Sequence, residues 1–261
     1  MEVVICESSA AGARLVADAF AELVARRSAA VLGLATGSTP EPVYDELARR
    51  HAAGAIDLSG VSAFLLDEYL GLSADDPAAY RQVIERQVVQ PLGIAPDRVH
   101  GLDGMTDDPP RACAEYEATI AAHGGVDLQL LGIGTDGHIG FNEPGSSLGS
   151  RTRIKTLTDQ TRADNARFFR GGADAVPRHV LTQGIGTIRE ARHLVLLAWG
   201  EAKADAVARC VEGPVTSSVP ATALQLHPHA TVVLDRPAAA RLARRAEYER
   251  TFALKPGWQG L

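Results

Sequence analysis

The chain has 261 residues, of which 46% are hydrophobic and 22% are charged, and these values are typical of a globular protein with a substantial core. Its formal net charge of -6 argues against a general nucleic-acid-binding surface, so an anionic ligand would need a local cationic pocket. The sequence has no run of about 18 apolar residues and no basic N-terminal region, so we expect a soluble, cytoplasmic protein without a membrane partner.

Apolar, β-branched runs alternate with helical patterns along the chain. The apolar runs predict six buried strands, at residues 3–6, 31–35, 62–66, 126–133, 193–199 and 230–234. The stretches between them predict five helices: Ala10–Arg27, Pro42–His51, Ala78–Gln90, Arg111–Ala122 and Glu201–Val211. This alternation predicts a doubly wound α/β fold, a mostly parallel, Rossmann-like sheet with helices on both faces. We expect residues 1–261 to form a single domain, with the polar, Arg-rich segment 145–186 as a lid or insertion.

Residues that directly follow an apolar run are candidates for function, because ligands bind at the carboxyl ends of the strands in sheets of this kind. The segment TGSTP follows the strand predicted at 31–35 and precedes a helix. Its backbone N–H groups at Gly37, with the hydroxyls of Ser38 and Thr39, could cradle a phosphate at the helix N-terminus. An ordinary N-cap explains the same residues equally well.

Two adjacent acids, Asp67 and Glu68, follow the strand predicted at 62–66. Adjacent residues of an extended chain point to opposite sides, so at most one of these carboxylates faces a ligand cleft. We select Asp67, because a proton-transfer enzyme needs a base that is separate from the two acids of the next segment.

The segment GIGTDGHIGFNEPG combines Asp136, His138 and Glu143 with several glycines after the strand predicted at 126–133. Taken alone, such a loop favours a tight turn with solvated side chains. Its spacing also allows a curled loop to aim both carboxylates at one imidazole, which is the arrangement that acid–base catalysis or ring opening requires.

Lysine is rare in this sequence, since only 3 of the 26 basic residues are lysines. One of them, Lys203, lies in the first turn of a predicted helix, where a cation is poorly matched to the helix dipole. We interpret Lys203 as a ligand contact, with chance as the alternative. The cysteines lie far apart without metal-binding spacing, which predicts buried thiols and no structural metal: Cys6, Cys113 and Cys210.

These segments together resemble the glucosamine-6-phosphate deaminase family, the isomerising deaminases that convert glucosamine 6-phosphate and water to fructose 6-phosphate and ammonia. The matching segments follow the family's order and spacing: LATGSTP, LLDEYLGL, GIGTDGHIGFNEPGSSLGSRTRIKTLT, ARFF, LTQGIGTI, GEAKADAV and LQLHPHA. They extend over most of the chain, and no matching segment follows about Arg241. The resemblance implies an enzyme that acts on a small sugar phosphate and needs no metal or organic cofactor.

The resemblance also implies a role for each matching residue. Asp67 would take the proton from C2 of the open-chain sugar and return one to C1. His138 would assist ring opening, while Asp136 and Glu143 would orient and tune its imidazole. The 6-phosphate would bind to five residues: Gly37, Ser38, Thr39, Arg167 and Lys203.

Two other functions fit parts of the sequence. A lactonase acting on 6-phosphogluconolactone could share the fold and the phosphate cradle, although it does not obviously need Asp67 together with the long loop. A sugar-phosphate-sensing module of a transcription regulator could share the architecture. That module would need a DNA-binding extension, whereas this acidic chain starts directly with a core strand.

The segment SRTRIKTL alternates cations with other residues, so an extended strand would point Arg151, Arg153 and Lys155 to one side. A solvated basic edge strand accounts for the same pattern. In allosterically regulated members of the family that the chain resembles, residues matching Ser146, Arg153 and Lys155 bind N-acetylglucosamine 6-phosphate at a subunit interface of a hexamer. The resemblance therefore implies a homo-oligomer with a regulatory site, for which Tyr248 is a further candidate.

Overall fold

The computed structural model describes residues 1–261 and contains a seven-stranded and a three-stranded sheet. The strands are β1 (Glu2–Cys6), β2 (Val31–Leu34), β3 (Ser62–Leu65), β4 (Asp67–Tyr69), β5 (Val99–His100), β6 (Leu128–Leu131), β7 (Arg153–Thr156), β8 (His179–Thr182), β9 (His193–Ala198) and β10 (Ala230–Asp235). The larger sheet is entirely parallel, in the order β1-β10-β9-β6-β2-β3-β5. It contains all six predicted strands, so the predicted doubly wound α/β fold is confirmed.

Helices connect the strands of this sheet. The α-helices are α1 (Ser9–Arg26), α2 (Glu41–Ala52), α3 (Tyr80–Ile84), α4 (Gln90–Leu92), α5 (Pro109–Ala122), α6 (Asp159–Asn165), α7 (Ile185–Arg189), α8 (Ala204–Glu212) and α9 (Arg245–Ala253). Short 3₁₀ turns cover Pro96–Arg98, Ala166–Phe168, Gly172–Ala175, Glu201–Lys203, Pro220–Leu226 and Gly257–Gln259. The helix predicted at 78–90 is divided, because a π-helical turn, Glu85–Val89, joins α3 to α4. None of the helices combines the length and the apolar character needed to cross a membrane.

The larger sheet is buried on both faces. Successive residues of β9 alternate between two apolar clusters, with Leu194 and Leu196 in one cluster and Val195 and Leu197 in the other. Helices α5 and α8 contribute to the first cluster, and α1 and α2 contribute to the second. Burial on both faces explains why these strands are continuous apolar runs rather than alternating patterns.

The smaller sheet was not predicted from the sequence. It is antiparallel, in the order β4-β8-β7, and β7 and β8 both belong to the segment 145–186 that we expected to be a lid or insertion. Asp67 in β4 lies opposite Thr182 in β8. This segment is therefore not only a lid, since its two strands fix the chain that carries Asp67.

A stacked pair of imidazoles lies at the amino end of the larger sheet. The rings of His193 and His229 are parallel, with centroids 3.7 Å apart, and Nε2 of His193 lies 3.0 Å from the Thr231 hydroxyl. Burial, followed by the nearby His229 and His227, lowers the pKa of His193 from 6.5 to about 3.

The lowered pKa of His193 predicts that the protein loses stability as the pH falls. Below pH 6.5 the imidazole of His193 is protonated in the unfolded chain but stays neutral in the folded chain. The free energy of unfolding should therefore fall by about 2 kcal/mol between pH 7 and pH 5 through this residue alone. Urea denaturation at the two pH values measures the loss, and His193→Gln should reduce it by that amount. The control is His179→Gln, at an exposed histidine. Equal losses in the wild type and both variants would contradict the prediction.

Candidate active site

One large cleft opens at the carboxyl ends of the parallel strands, where the sequence predicts a ligand site. Its volume is about 990 Å³. Seven of the nine predicted active-site residues line it: Gly37, Ser38, Thr39, Asp67, His138, Arg167 and Lys203. Asp136 and Glu143 do not line the cleft but lie beside His138. The structure therefore brings together residues that span most of the sequence.

The loop between β2 and α2 has the properties expected of a phosphate cradle. Gly37 has φ 97°, in the left-handed region that favours glycine, and the turn leads to the N-terminus of α2. The N-cap residue is Pro40, and no side chain caps the helix. Ser38 and Thr39 are thus not ordinary capping residues, and their hydroxyls are available to a ligand in the cleft.

Trp199 ties this loop to the end of β9. Its indole Nε1 donates a hydrogen bond of 2.8 Å to the carbonyl oxygen of Thr39. The far edge of the indole packs against Gly12, where a Cβ atom would lie only 2.6 Å from the ring. Trp199 was not predicted from the sequence as a site residue, because an aromatic residue at the end of an apolar run is indistinguishable from core.

Loss of the Trp199 hydrogen bond is expected to weaken substrate binding. Trp199→Phe keeps a ring in place but frees the Thr39 carbonyl, so KM should rise about 2- to 10-fold, the range for one neutral hydrogen bond, with kcat little changed. Trp258→Phe is the matched control, because the only other tryptophan is 83% exposed. A KM equal to that of the control would show that the indole hydrogen bond does not hold the loop.

A second anchored turn brings Lys203 into the cleft. Gly200 has φ 83°, and both carboxylate oxygens of Asp235 accept hydrogen bonds from its N–H, at 3.0 and 3.1 Å. The turn continues into a 3₁₀ helix, from which Nζ of Lys203 donates to the Ile133 carbonyl oxygen at 2.7 Å. Burial lowers the pKa of Lys203, and the nearby Asp164 opposes this effect. Asp235 is thus a positioning residue that the sequence analysis missed.

Asp67 and Glu68 have opposite environments, as their alternation in a strand predicts. The carboxylate of Glu68 points away from the cleft and accepts backbone N–H bonds from Tyr69, Tyr80 and Arg81, at 2.8 to 2.9 Å. Asp67 lines the cleft, is 5% exposed and accepts no hydrogen bond from the protein. Burial, together with the charge of Glu68, raises the pKa of Asp67 well above its ordinary value.

Asp136, His138 and Glu143 form a compact cluster, in which one ligand-type atom of each residue lies within 4.8 Å of the others. Oδ1 of Asp136 accepts the backbone N–H of His138 at 3.0 Å and lies 2.8 Å from Nδ1 of its ring. The contact between Oδ1 and Nδ1 is an ion pair whenever the imidazole is protonated. A Cβ atom at Gly134 would lie 2.3 Å from the His138 ring, so the ring position requires glycine there.

The two carboxylates of this cluster are held differently. Partial burial raises the pKa of Asp136, but contacts with the imidazole and the backbone N–H of His138 outweigh burial, and the net pKa is lowered. Glu143 is 4% exposed, and its Oε1 accepts a hydrogen bond of 2.7 Å from the Thr161 hydroxyl. Oε2 of Glu143 has no partner. The two carboxyl groups of the cluster can therefore orient the imidazole of His138 and alter the electrostatic environment of this ring.

Arg167 reaches the cleft from the segment 145–186. It lies in the 3₁₀ turn after α6, and its guanidinium group is 4.7 Å from the ring centroid of Phe168. No carboxylate lies within ion-pair distance of Arg167, so its charge is available to an anionic ligand. Together with Lys203, it supplies two cations to a cleft that Asp164 also lines, in a protein whose net charge is negative.

Comparison with known proteins agrees with this geometry. A family model described as glucosamine-6-phosphate isomerases/6-phosphogluconolactonase matches residues 6–233. The chain belongs to this family. It is 60% identical over 261 residues to a glucosamine-6-phosphate deaminase of Streptomyces avermitilis and 58% identical to one of Mycolicibacterium smegmatis, with 100% of both chains covered in each case. These alignments include the segment after Arg241, in which the recognisable motifs give out.

Solved structures within the family separate fold from function. A monomeric glucosamine-6-phosphate deaminase is similar with a TM-score of 0.90 and 41% identity, over 92% of this chain and 100% of that chain. The 6-phosphogluconolactonase of Leishmania guyanensis is similar with a TM-score of 0.72 but only 22% identity, over 91% and 97% of the two chains. The second likeness is evidence for the fold alone.

An aromatic wall beside Asp67 was also missed by the sequence analysis. The hydroxyls of Tyr69 and Tyr80 lie 3.3 Å apart, and the ring of Phe141 is parallel to that of Tyr80. All three residues line the cleft. No sequence pattern indicated these three residues, because they are isolated aromatic residues in a short strand, at a helix start and in a loop.

The three proposed regulatory residues lie outside the cleft lining. Arg153 and Lys155 are half-buried in β7, while the residues that alternate with them are exposed, so both cations share one side, as predicted. Arg151 lies before the strand and forms ion pairs with Glu117 and Glu190. The predicted row of Arg151, Arg153 and Lys155 is therefore reduced to Arg153 and Lys155.

Proposed function

We propose that the chain is an isomerising deaminase that converts glucosamine 6-phosphate and water to fructose 6-phosphate and ammonia. The observation that carries this proposal is the presence of two separate proton-transfer groups in one cleft. Asp67 is a desolvated carboxylate, and His138 is an imidazole flanked by two acids. Enolisation at C2 and opening of the sugar ring each need such a group, whereas hydrolysis of a lactone needs only one.

The geometry supports the following sequence of steps. The 6-phosphate binds to the N–H and hydroxyl groups of Gly37, Ser38 and Thr39, and to the cations of Arg167 and Lys203.

His138 then moves a proton from the C1 hydroxyl to the ring oxygen, with Asp136 and Glu143 setting its orientation and charge. Asp67 takes the C2 proton of the open-chain sugar and delivers a proton to C1 of the enolamine. Water adds to the resulting imine at C2, and ammonia leaves. No step requires a metal or an organic cofactor.

A coupled assay tests the proposal. The purified chain should release equal amounts of ammonia and fructose 6-phosphate from glucosamine 6-phosphate, with 6-phosphogluconolactone as the competing substrate in a parallel reaction. Hydrolysis of the lactone without ammonia release would mean that the chain is a lactonase rather than a deaminase. The relatives named deaminases at 58% to 60% identity support the first outcome.

The proposal extends to a cytoplasmic role in N-acetylglucosamine catabolism and to allosteric control of a homo-oligomer. Ser146 is 3% exposed, and its hydroxyl has no partner. Arg153 donates only to neutral oxygens, of Asn142 and Arg151, and Lys155 has no acidic partner. A hydroxyl and two unneutralised cations suit the phosphate of N-acetylglucosamine 6-phosphate.

Regulation is tested separately from catalysis, by measuring the substrate dependence of turnover with and without N-acetylglucosamine 6-phosphate. Activation should be present in the wild type and lost in Lys155→Ala. Lys255→Ala is the matched control, since Lys255 forms an ion pair with Glu2 at 2.7 Å. The similar deaminase of known structure is monomeric. Hyperbolic kinetics without activation, together with a monomer mass by light scattering, would contradict the proposed regulation without affecting the proposed catalysis.

A further inference from the structure

The cluster of Asp136, His138 and Glu143 contains a buried oxygen that no donor of the protein satisfies. Two carboxyl groups converge on one imidazole, so the acidic groups outnumber the basic one. Glu143 is 4% exposed, and its Oε2 has no hydrogen-bond donor, although the other oxygen is held by Thr161. A buried carboxylate oxygen without a donor is costly unless a cation faces it.

The donor set indicates which cation fits. Imidazole nitrogens and carboxylate oxygens are both ligands that Zn²⁺ accepts, and three protein ligands with a fourth position for water or substrate is the ligand count of catalytic zinc sites. Mg²⁺ and Ca²⁺ prefer more oxygen ligands and no imidazole. Zinc bonds of about 2.0–2.2 Å place tetrahedral ligands roughly 3.5 Å apart. The donor atoms all lie within 4.8 Å of one another, but Oδ1 of Asp136 and Nδ1 of His138 are only 2.8 Å apart, so this pair would open slightly while the rest of the cluster contracts.

An ion can reach the cluster from two directions. His138 lines the cleft, and the Asp136 side chain is 35% exposed. We propose that Asp136, His138 and Glu143 bind Zn²⁺ and that the bound ion inhibits the enzyme reversibly. Coordination uses the lone pair of one imidazole nitrogen, and the other nitrogen then keeps its hydrogen, so His138 has no lone pair to accept the C1 hydroxyl proton while zinc is bound. The inhibitory part rests on the proposed deaminase function, but zinc binding does not.

Equilibrium dialysis with zinc chloride, in the absence of substrate, tests binding directly. The experiment uses a Cys6→Ser background, because Cys6 is a partly exposed thiol that could also take zinc. We expect one zinc ion per chain. Glu143→Gln and Asp136→Asn should each weaken zinc binding by more than about tenfold. Loss of a residue that only hydrogen-bonds a metal ligand typically weakens binding by about 10- to 100-fold, and loss of a ligand itself should weaken it at least as much.

Asp164→Asn is the matched control, because Asp164 is an exposed carboxylate that lines the same cleft without belonging to the cluster. This variant should bind zinc as the background protein does, and circular dichroism confirms that each variant is folded. Zinc uptake that does not saturate, or that is unchanged in both cluster variants, overturns the site. Ammonia release that continues at full rate with zinc bound overturns the inhibition and leaves the site standing. Absence of ammonia release without zinc would instead count against the deaminase proposal.

Discussion

Asp67→Asn is expected to reduce kcat by about 100- to 10,000-fold, the range typical of losing a general base. The amide has nearly the shape of the carboxylate but cannot accept the C2 proton. Because Asp67 accepts no hydrogen bond from the protein, the substitution breaks no contact that supports the cleft. Exchange of the C2 proton with solvent deuterium measures the affected step itself and should fall with kcat.

The same variant should be more stable than the wild type. Burial, followed by the charge of Glu68, raises the pKa of Asp67 well above 3.8, so the folded carboxyl ionises at a higher pH than the unfolded one. Stability therefore falls as the pH rises through the window between the two pKa values, and the loss is complete above the folded pKa. Asparagine removes this cost at neutral pH, and each gain of about 1 kcal/mol raises Tm by about 2–4 °C in a chain of roughly this size.

Glu68→Gln provides the opposite signature at the adjacent residue. Burial raises the pKa of Glu68 as well, but its two carboxylate oxygens accept three backbone N–H bonds, and an amide would have to turn its NH2 group toward one of these donors. Glu68→Gln should therefore lower Tm while reducing turnover far less than Asp67→Asn does. Wild-type deuterium exchange in Asp67→Asn would remove Asp67 from the role of base. A lower Tm in Asp67→Asn would show that the Asp67 carboxylate stabilises the fold rather than being held there for catalysis.

The parallel sheet could be predicted from the sequence because each strand is buried on both faces and appears as an uninterrupted apolar run. The smaller sheet could not, because the period-two pattern of SRTRIKTL indicates an extended β7 without naming its partner, and β4 follows β3 after the single residue Leu66. β5 was also missed, because two residues, Val99 and His100, form no recognisable pattern. Short antiparallel strands are determined by their partners rather than by local composition.

The candidate site divides in the same way. Strand alternation predicts that at most one of Asp67 and Glu68 faces the cleft, and the grouping of Asp136, His138 and Glu143 follows from spacing within one loop. The structure agrees with both placements. Trp199 bonds to the carbonyl of Thr39, and both carboxylate oxygens of Asp235 accept the N–H of Gly200. These backbone partners lie far away in sequence, and no residue pattern identifies such contacts in advance.

His138→Gln is expected to reduce turnover of glucosamine 6-phosphate by about 100-fold or more, because glutamine cannot transfer a proton during ring opening. The defect should be confined to the cyclic sugar. A 4,5-dideoxy analogue lacks the hydroxyls that close the pyranose and furanose rings, so His138→Gln should process it at nearly the wild-type rate. Asp67→Asn should be slow on both substrates, since enolisation at C2 follows ring opening.

Asp136→Asn extends this comparison to the neighbouring carboxylate. Asp136 accepts the backbone N–H of His138 and lies 2.8 Å from its ring, so its loss should affect the cyclic sugar and spare the analogue, but less severely than loss of the imidazole. The measurement is the ratio of kcat/KM for the two substrates in each variant. If His138→Gln lowers kcat/KM equally for both substrates, His138 acts after the ring has opened, and ring opening has to be assigned to another group in the cleft.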